Sequence, residues 1–309
     1  MVDPPVSAVP DRDTVRLALT VAGLVLALLG GFALGRLNPG PGTALAGVAG
    51  GAPATADHTH PPGTGPHVHP TAGADGAGGL TVSAAGYTLV PTETSFRVGR
   101  RSDLAFQVRG PDRRVVTDFV VVHERPMHLI VVRRDLTGYQ HLHPTMTPDG
   151  TWRVPLTLPD PGVWRAYADF TVRDAAGAEV PLTLGVDLVV PGAYAPRPLP
   201  APARETTLDG FTVTYEGTGQ VGATAPLLFR VFADGNPVTG LERYLGAYGH
   251  LVAVREGDLA YLHVHPEDEL DGGATRFWVA VPSPGRYRMY LDFQVGGVVR
   301  TAEFTMVVD

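Results

Sequence analysis

The chain has no cysteine, so disulfides and thiolate metal sites are both excluded, and any metal must be held by nitrogen, oxygen or thioether. Lysine is missing too, because all 24 basic residues are arginine. Against 31 acidic residues they leave a net charge of −7. No arginine cluster alternates with stacking aromatics, so the basic surface that a phosphate backbone requires is lacking and nucleic acid is not an expected partner. Nowhere do serine or carboxylate residues fall in the spacing of a nucleophilic or glycosidic site. No enzyme is expected.

Between Arg16 and Arg36 lie 19 uncharged residues, about the length needed to cross roughly 30 Å of hydrocarbon as a helix. This predicts a cytoplasmic tail at 1–14 and a transmembrane helix at 15–36. Arg12 and Arg16 precede the uncharged run and only Arg36 follows it closely, which places the rest of the chain outside the cell membrane. Cleavage as a signal peptide near the "ALA" at 44–46 is the competing reading; retention as a single-pass anchor is the expectation. Residues 37–79, rich in Gly, Pro, Ala and Thr, show neither helical nor strand periodicity and predict a disordered tether. A flexible tether of about 43 residues spans roughly 35–40 Å.

From residue 80 onward short apolar runs alternate with Gly, Pro and Asp, the pattern of a mainly β chain. The runs occur twice in the same order. His128, His141 and His143 match His250, His263 and His265 at an offset of 122, while Gly162, Tyr167 and Asp169 match Gly285, Tyr290 and Asp292 at 123. Two tandem β-sandwiches are therefore expected at 80–192 and 205–309, joined by a proline-rich linker at 193–204. The first carries 12 acidic and 12 basic residues and the second 14 and 7, so the excess of acid sits in the second. There the "EDELD" after the His pair reads as a solvated turn or as an attractor of cations.

Eight of the 11 histidines stand in four H-x-H pairs, at 58/60, 67/69, 141/143 and 263/265. Residues two apart on a strand project from one face, so two imidazoles can converge on one ion. A tight turn near "DLTG" would bring "QHLHP" back antiparallel to the strand opened by His128. In a two- or four-residue loop opposed numbers sum to an odd value, so His128, His141 and His143 share a face. Turning at "REGD", the second repeat does the same for His250, His263 and His265. Three neutral imidazoles suit copper or zinc. The plainer reading is a polar cluster that fixes hairpin register, but a buried trio with no guest leaves nitrogens seeking partners.

Met127 should point away from His128 into the core, whereas Met146 is open as a thioether ligand. His123, matched by Leu245, reads as structural or accessory. Asp169 and Asp292 either accept hydrogen bonds from ligating histidines or cap turns. In the tether, His58, His60, His67 and His69 make an accessory, exchangeable metal-collecting arm, or simply a solubilising linker.

The phrases "MHLIVVRRDLTGYQHLHP" and "LGAYGHLVAVREGDLAYLHVHP" resemble bacterial membrane-anchored or secreted heavy-metal-associated proteins, over roughly 80–309. The resemblance implies tandem immunoglobulin-like or cupredoxin-like sandwiches and extracytoplasmic handling of a metal, copper above all. The blue-copper pattern itself fails for want of its thiolate. A second resemblance, to the first cupin motif, rests on Gly257, His263, His265 and Glu269; it breaks at Arg276, where that motif has glycine. The expectation is thus a membrane-anchored extracytoplasmic protein that binds copper, or zinc, in buffering, delivery or sensing. The alternative is an adhesive or scaffolding ectodomain that binds another envelope protein.

Overall fold

The computed structural model describes residues 78–262 and 264–309. The segments expected as cytoplasmic tail, membrane helix and tether up to residue 77, with four histidines, lie outside the described residues, as does His263. Among the described residues no helix is long and apolar enough to cross a membrane.

Both repeats are antiparallel sandwiches. The first contains β1 (Ser83–Ala84), β2 (Tyr87–Pro91), β3 (Ser102–Arg109), β4 (Phe119–Val120), β5 (His128–Arg133), β6 (Gln140–Leu142), β7 (Thr145–Met146), β8 (Trp152–Leu156), β9 (Gly162–Arg173) and β10 (Glu179–Val190). One sheet has the order β1-β2-β3-β8-β7; the other is β10-β9-β5-β6, with β4 also on β9. The second contains β11 (Glu205–Leu208), β12 (Phe211–Glu216), β13 (Thr224–Ala233), β14 (Asn236–Pro237), β15 (Leu241–Glu242), β16 (His250–Arg255), β17 (Tyr261–Leu262), β18 (Val264–Pro266), β19 (Thr275–Ala280), β20 (Gly285–Val295) and β21 (Val298–Val308). Its sheets run β11-β12-β13-β19-β18 and β15-β20-β16-β17, with β14 on β13 and β21 on β20.

Strands with one wet face alternate as the pleat demands. In β8, Trp152, Val154 and Leu156 are buried while Arg153 and Pro155 are exposed. By contrast β5, "HLIVVR", is buried at all six positions, so both of its faces are covered. Its odd residues, Leu129 and Val131, enter the first sandwich core beside Trp152 and Trp164. Its even residues, Ile130 and Val132, join Val252 and Val254 of β16, with Tyr167, Tyr290, Leu136 and Leu259, in a separate apolar cluster between the repeats.

That seam is reciprocal. Tyr167 donates its hydroxyl hydrogen to the Leu259 carbonyl and Tyr290 donates to the Leu136 carbonyl, each at 2.7 Å. Leu136 and Leu259 are equivalent residues, both left-handed at φ 62° and 65°. A left-handed leucine costs about 1–2 kcal/mol, which burial of each side chain and the buried tyrosine bond offset. The proline-rich connection closes the same seam: Leu199 belongs to the cluster, and the Arg197 amide donates to Asp135 Oδ2 at 2.8 Å.

The expected tether ends earlier than residue 79. Gly78 exchanges backbone hydrogen bonds with Tyr261 of the second repeat at 2.9 and 3.0 Å, and the Gly79 amide donates to the Thr183 carbonyl at 3.0 Å. Glycine-rich sequence reads as linker, but here it is what lets backbone approach backbone. A Cβ on Gly79 would meet the Tyr167 ring at 2.3 Å, and one on Gly185 would meet the Gly79 carbonyl oxygen at 2.0 Å. Gly185→Ala should therefore displace this strap, lower stability by about 1–3 kcal/mol and open the chain to protease just before Leu80. Thermal melting and limited proteolysis check both effects.

Candidate metal centre

The first hairpin has the register its loop length predicts. Leu129 faces Leu142 and Ile130 faces His141, and the turn closes through Arg133 N–H to the Thr137 carbonyl and Leu136 N–H to the Arg133 carbonyl. Since 130 and 141 are opposed, His128, His141 and His143 share a face with Ile130, the face turned to the second repeat. In that repeat Ala253 faces Leu262 and Val254 faces Tyr261, which turns His250 back toward the first.

Among the described residues, the histidines of the first hairpin meet His250 of the second repeat in one cluster that crosses the seam. Donor nitrogens of His128, His141 and His250 all lie within 4.8 Å of one another. The His128 and His250 rings stack at 5.5 Å, and His141 stands 4.5 Å from His250. His143 flanks this trio at 4.7 Å from His141 and 5.1 Å from His128. His123 lies 6.1 Å from His128 and 6.0 Å from His250. His263 lies outside the described residues, and His265 is placed by its main chain alone, opposite Trp278 where β18 joins the other sheet.

Hydrogen bonding fixes which nitrogens carry hydrogen. The Val122 carbonyl, 3.1 Å from His128 Nε2, can only accept, so Nε2 bears the hydrogen and Nδ1 presents a lone pair. The Asp292 carboxylate, 2.8 Å from His141 Nδ1, also accepts, so a neutral His141 presents its lone pair at Nε2. Those two nitrogens face each other at 3.1 Å. Two lone pairs at that separation repel unless a cation lies between them, whether proton or metal ion. Nitrogen ligands at 2.0–2.1 Å around one tetrahedral ion stand about 3.3 Å apart, close to the spacing seen.

Asp292 is held as an acceptor by three donors. Besides His141 it receives the Tyr139 hydroxyl at 3.2 Å and the Thr301 hydroxyl at 2.6 Å, and the residue is 2% exposed. Tyr139 stacks on Tyr290 with ring centroids 4.1 Å apart, and burial pushes its phenol well above the usual value, so it stays a donor. Neither aspartate caps a turn: Asp169 lies within β9 opposite His128 and Asp292 within β20 opposite His250. Asp169 accepts from Thr183 at 2.9 Å and from the Tyr261 hydroxyl at 3.5 Å.

Burial, followed by the field of His141, lowers the His128 pKa to about 4. The same causes, with His128 added, take His143 to about 3. Both rings are neutral at pH 7, as metal ligation requires. His143 Nε2 is buried without a hydrogen-bond partner among the described residues.

The pH dependence follows from the sign of the shift. An unfolded chain takes up a proton at this position below about pH 6.5, which the folded ring refuses until pH 4, so stability present above 6.5 is lost as pH falls through that window. For metal-free protein His128 alone should account for about 3 kcal/mol, and His143, less enclosed, for less. Urea midpoints between pH 7.5 and 4 measure it, and a flat profile there contradicts this account.

Met127 is fully buried in the first core, and Met146 packs against the same core, so it is not presented as a thioether ligand. The cupin pattern disperses, because Glu269 is 82% exposed and pairs with Arg243 at 3.0 Å. The neighbouring acids are likewise engaged by arginine: Glu267 lies 3.6 Å from Arg276, and Asp271 pairs with the same guanidinium. Sequence reasoning missed Tyr139, although the shared "Y-x-H" of "YQH" and "YLH" puts a tyrosine on the histidine face, and it missed that Asp292 serves the other repeat.

Residues 81–187 and 206–309, more than half of the chain, match the family described as Domain of unknown function (DUF8832). The chain belongs to this family. Its two copies coincide with the two sandwiches. No curated protein matches the chain. Among solved structures it is similar to FdeC, an Escherichia coli adhesin (16% identity, TM-score 0.24, 74% of this chain and 65% of that one). It is similar also to Salmonella alpha-2-macroglobulin reacted with methylamine (16%, 0.26, 75% and 15%), and to invasin, a bacterial integrin-binding protein (13%, 0.21, 73% and 40%). The chain spans less than two thirds of the length of each of these three.

Proposed function

We propose that the protein binds one copper ion, or zinc in its place, in the seam between its repeats, and serves as an extracytoplasmic, membrane-tethered buffer, carrier or sensor of that ion. His128, His141 and His250 are the ligands and His143 the fourth donor. The supporting observation is the pair of lone-pair nitrogens on His128 and His141, held face to face by Val122 and Asp292 with a third imidazole in reach. Imidazole donors without thiolate favour copper(II) or zinc over hard ions. Membrane tethering through 15–36 and collection of metal by the histidines at 58, 60, 67 and 69 complete the reading.

A second reading is supported by the same hydrogen bonds. His141 to Asp292 joins the two repeats, so the cluster also serves as a polar clasp in a scaffolding or adhesive ectodomain that binds an envelope partner. Metal titration of the full chain in detergent, followed calorimetrically, separates them. The metal reading expects one central ion per chain, with uptake lost in His141→Ala. A clasp alone expects His141→Ala to lower metal-free stability and no central ion in either protein.

A further inference from the structure

Two tight turns meet over the histidine cluster. In the first, Val122 and Arg125 exchange backbone hydrogen bonds at 3.0 and 3.1 Å around His123 and Glu124, both left-handed at φ 47° and 61°. In the second, Tyr244 N–H donates to the Ala247 carbonyl at 2.7 Å around Leu245 and Gly246, at φ 58° and 86°. A Cβ on Gly246 would lie 3.9 Å from Glu124 Cγ, so the turns are neighbours. Two-residue turns of this kind favour Asn-Gly, and the second approaches that with a glycine. The first departs from it, setting histidine and glutamate where each costs about 1–2 kcal/mol relative to glycine.

What the strained position achieves is placement. His123 is half-buried on a turn whose neighbours Val121, Glu124 and Arg125 are exposed, whereas the side chain of His141 is 4% exposed and the residues His128 and His250 are 5% and 9% exposed. Its ring lies 6.1 Å from His128 and 6.0 Å from His250, separations slightly longer than those inside the trio. The equivalent Leu245 is 4% exposed and offers no donor; the second turn instead brings Tyr244 edge-on to His141 and His143, with ring centroids 6.3 and 6.4 Å apart.

We propose that His123 is the exchange ligand of the site: an incoming ion binds His123 first and passes to His128 and His250, and a departing ion retraces that path. This rests on the metal reading above. Each transfer swaps one imidazole for another on the ion and needs no electron or proton donor.

The test loads the detergent-solubilised full chain with copper(II) and follows loss of its visible absorption on mixing with excess EDTA. His123→Asn keeps a residue that tolerates the left-handed turn and removes the imidazole; Glu124→Gly keeps the imidazole and relaxes the turn. Expected are unchanged stoichiometry in both variants, a fall on the order of tenfold in copper loss and uptake rates for His123→Asn with little change in affinity, and rates close to wild type for Glu124→Gly. Faster loss with weaker affinity in His123→Asn would make His123 an ordinary equilibrium ligand and overturn the proposal. Equal slowing in Glu124→Gly would assign the effect to turn shape and overturn it too. If wild-type chain takes up no copper, the metal reading itself fails, a result distinct from normal uptake with unaltered exchange.

Discussion

His250→Ala should remove the central ion as completely as His141→Ala, although the two residues belong to different repeats. Independent sites on each hairpin would make the loss partial and confined to the mutated repeat. In the structure the donor atoms of His128, His141 and His250 lie within 4.8 Å of one another, so deleting either contribution breaks one shared site. Residues that only support metal ligands already affect affinity by about 10–100-fold, and loss of a ligand should meet or exceed the upper figure. Calorimetric titration of wild type, His141→Ala and His250→Ala under the same conditions decides this; one ion retained at wild-type affinity in His250→Ala would dissolve the shared site. Because His250 is buried in the seam, alanine there should be compared with His250→Gln, which keeps volume and a hydrogen-bonding group.

Asp292→Ala should be the most destabilising single change at the seam. It leaves His141 Nδ1–H and the Tyr139 and Thr301 hydroxyls without their acceptor in a place where the His141 and Asp292 side chains are 4% and 3% exposed. Breaking a buried, hydrogen-bonded charged group of this kind costs about 3–5 kcal/mol. Asp292→Asn keeps an oxygen for the histidine and should cost far less stability, while still weakening metal binding by about 10–100-fold through the altered basicity and orientation of His141. Denaturant melts without metal and titrations with it report the two effects separately. Equal destabilisation by Ala and Asn, with affinity unchanged, would show that Asp292 supports only the fold.

The hairpins were legible in the sequence because a period of two and a short loop fix register locally: His141 stands where the turn at Asp135–Gly138 puts it. Repeat boundaries were legible from the offset between matched residues. What covers the outer face of β5 was not. "HLIVVR" announces burial on both sides, but no local pattern says that the second cover is the other repeat, and so the crossing of His250 to the first trio could not be read. That Asp292 serves the other repeat was hidden for the same reason: its hydrogen-bond partner is 151 residues away in the chain. Gly78 and Gly79 were assigned to the tether because composition cannot distinguish a glycine that is loose from one required for close backbone approach.

The exchanged tyrosine bonds, Tyr167 to Leu259 and Tyr290 to Leu136, make each repeat offer its sibling the surface it receives in return. A surface of that self-matching kind is satisfied by a single rotation. Here the rotation is completed inside one polypeptide, so this face is consumed at home and cannot recruit a second molecule into a growing filament.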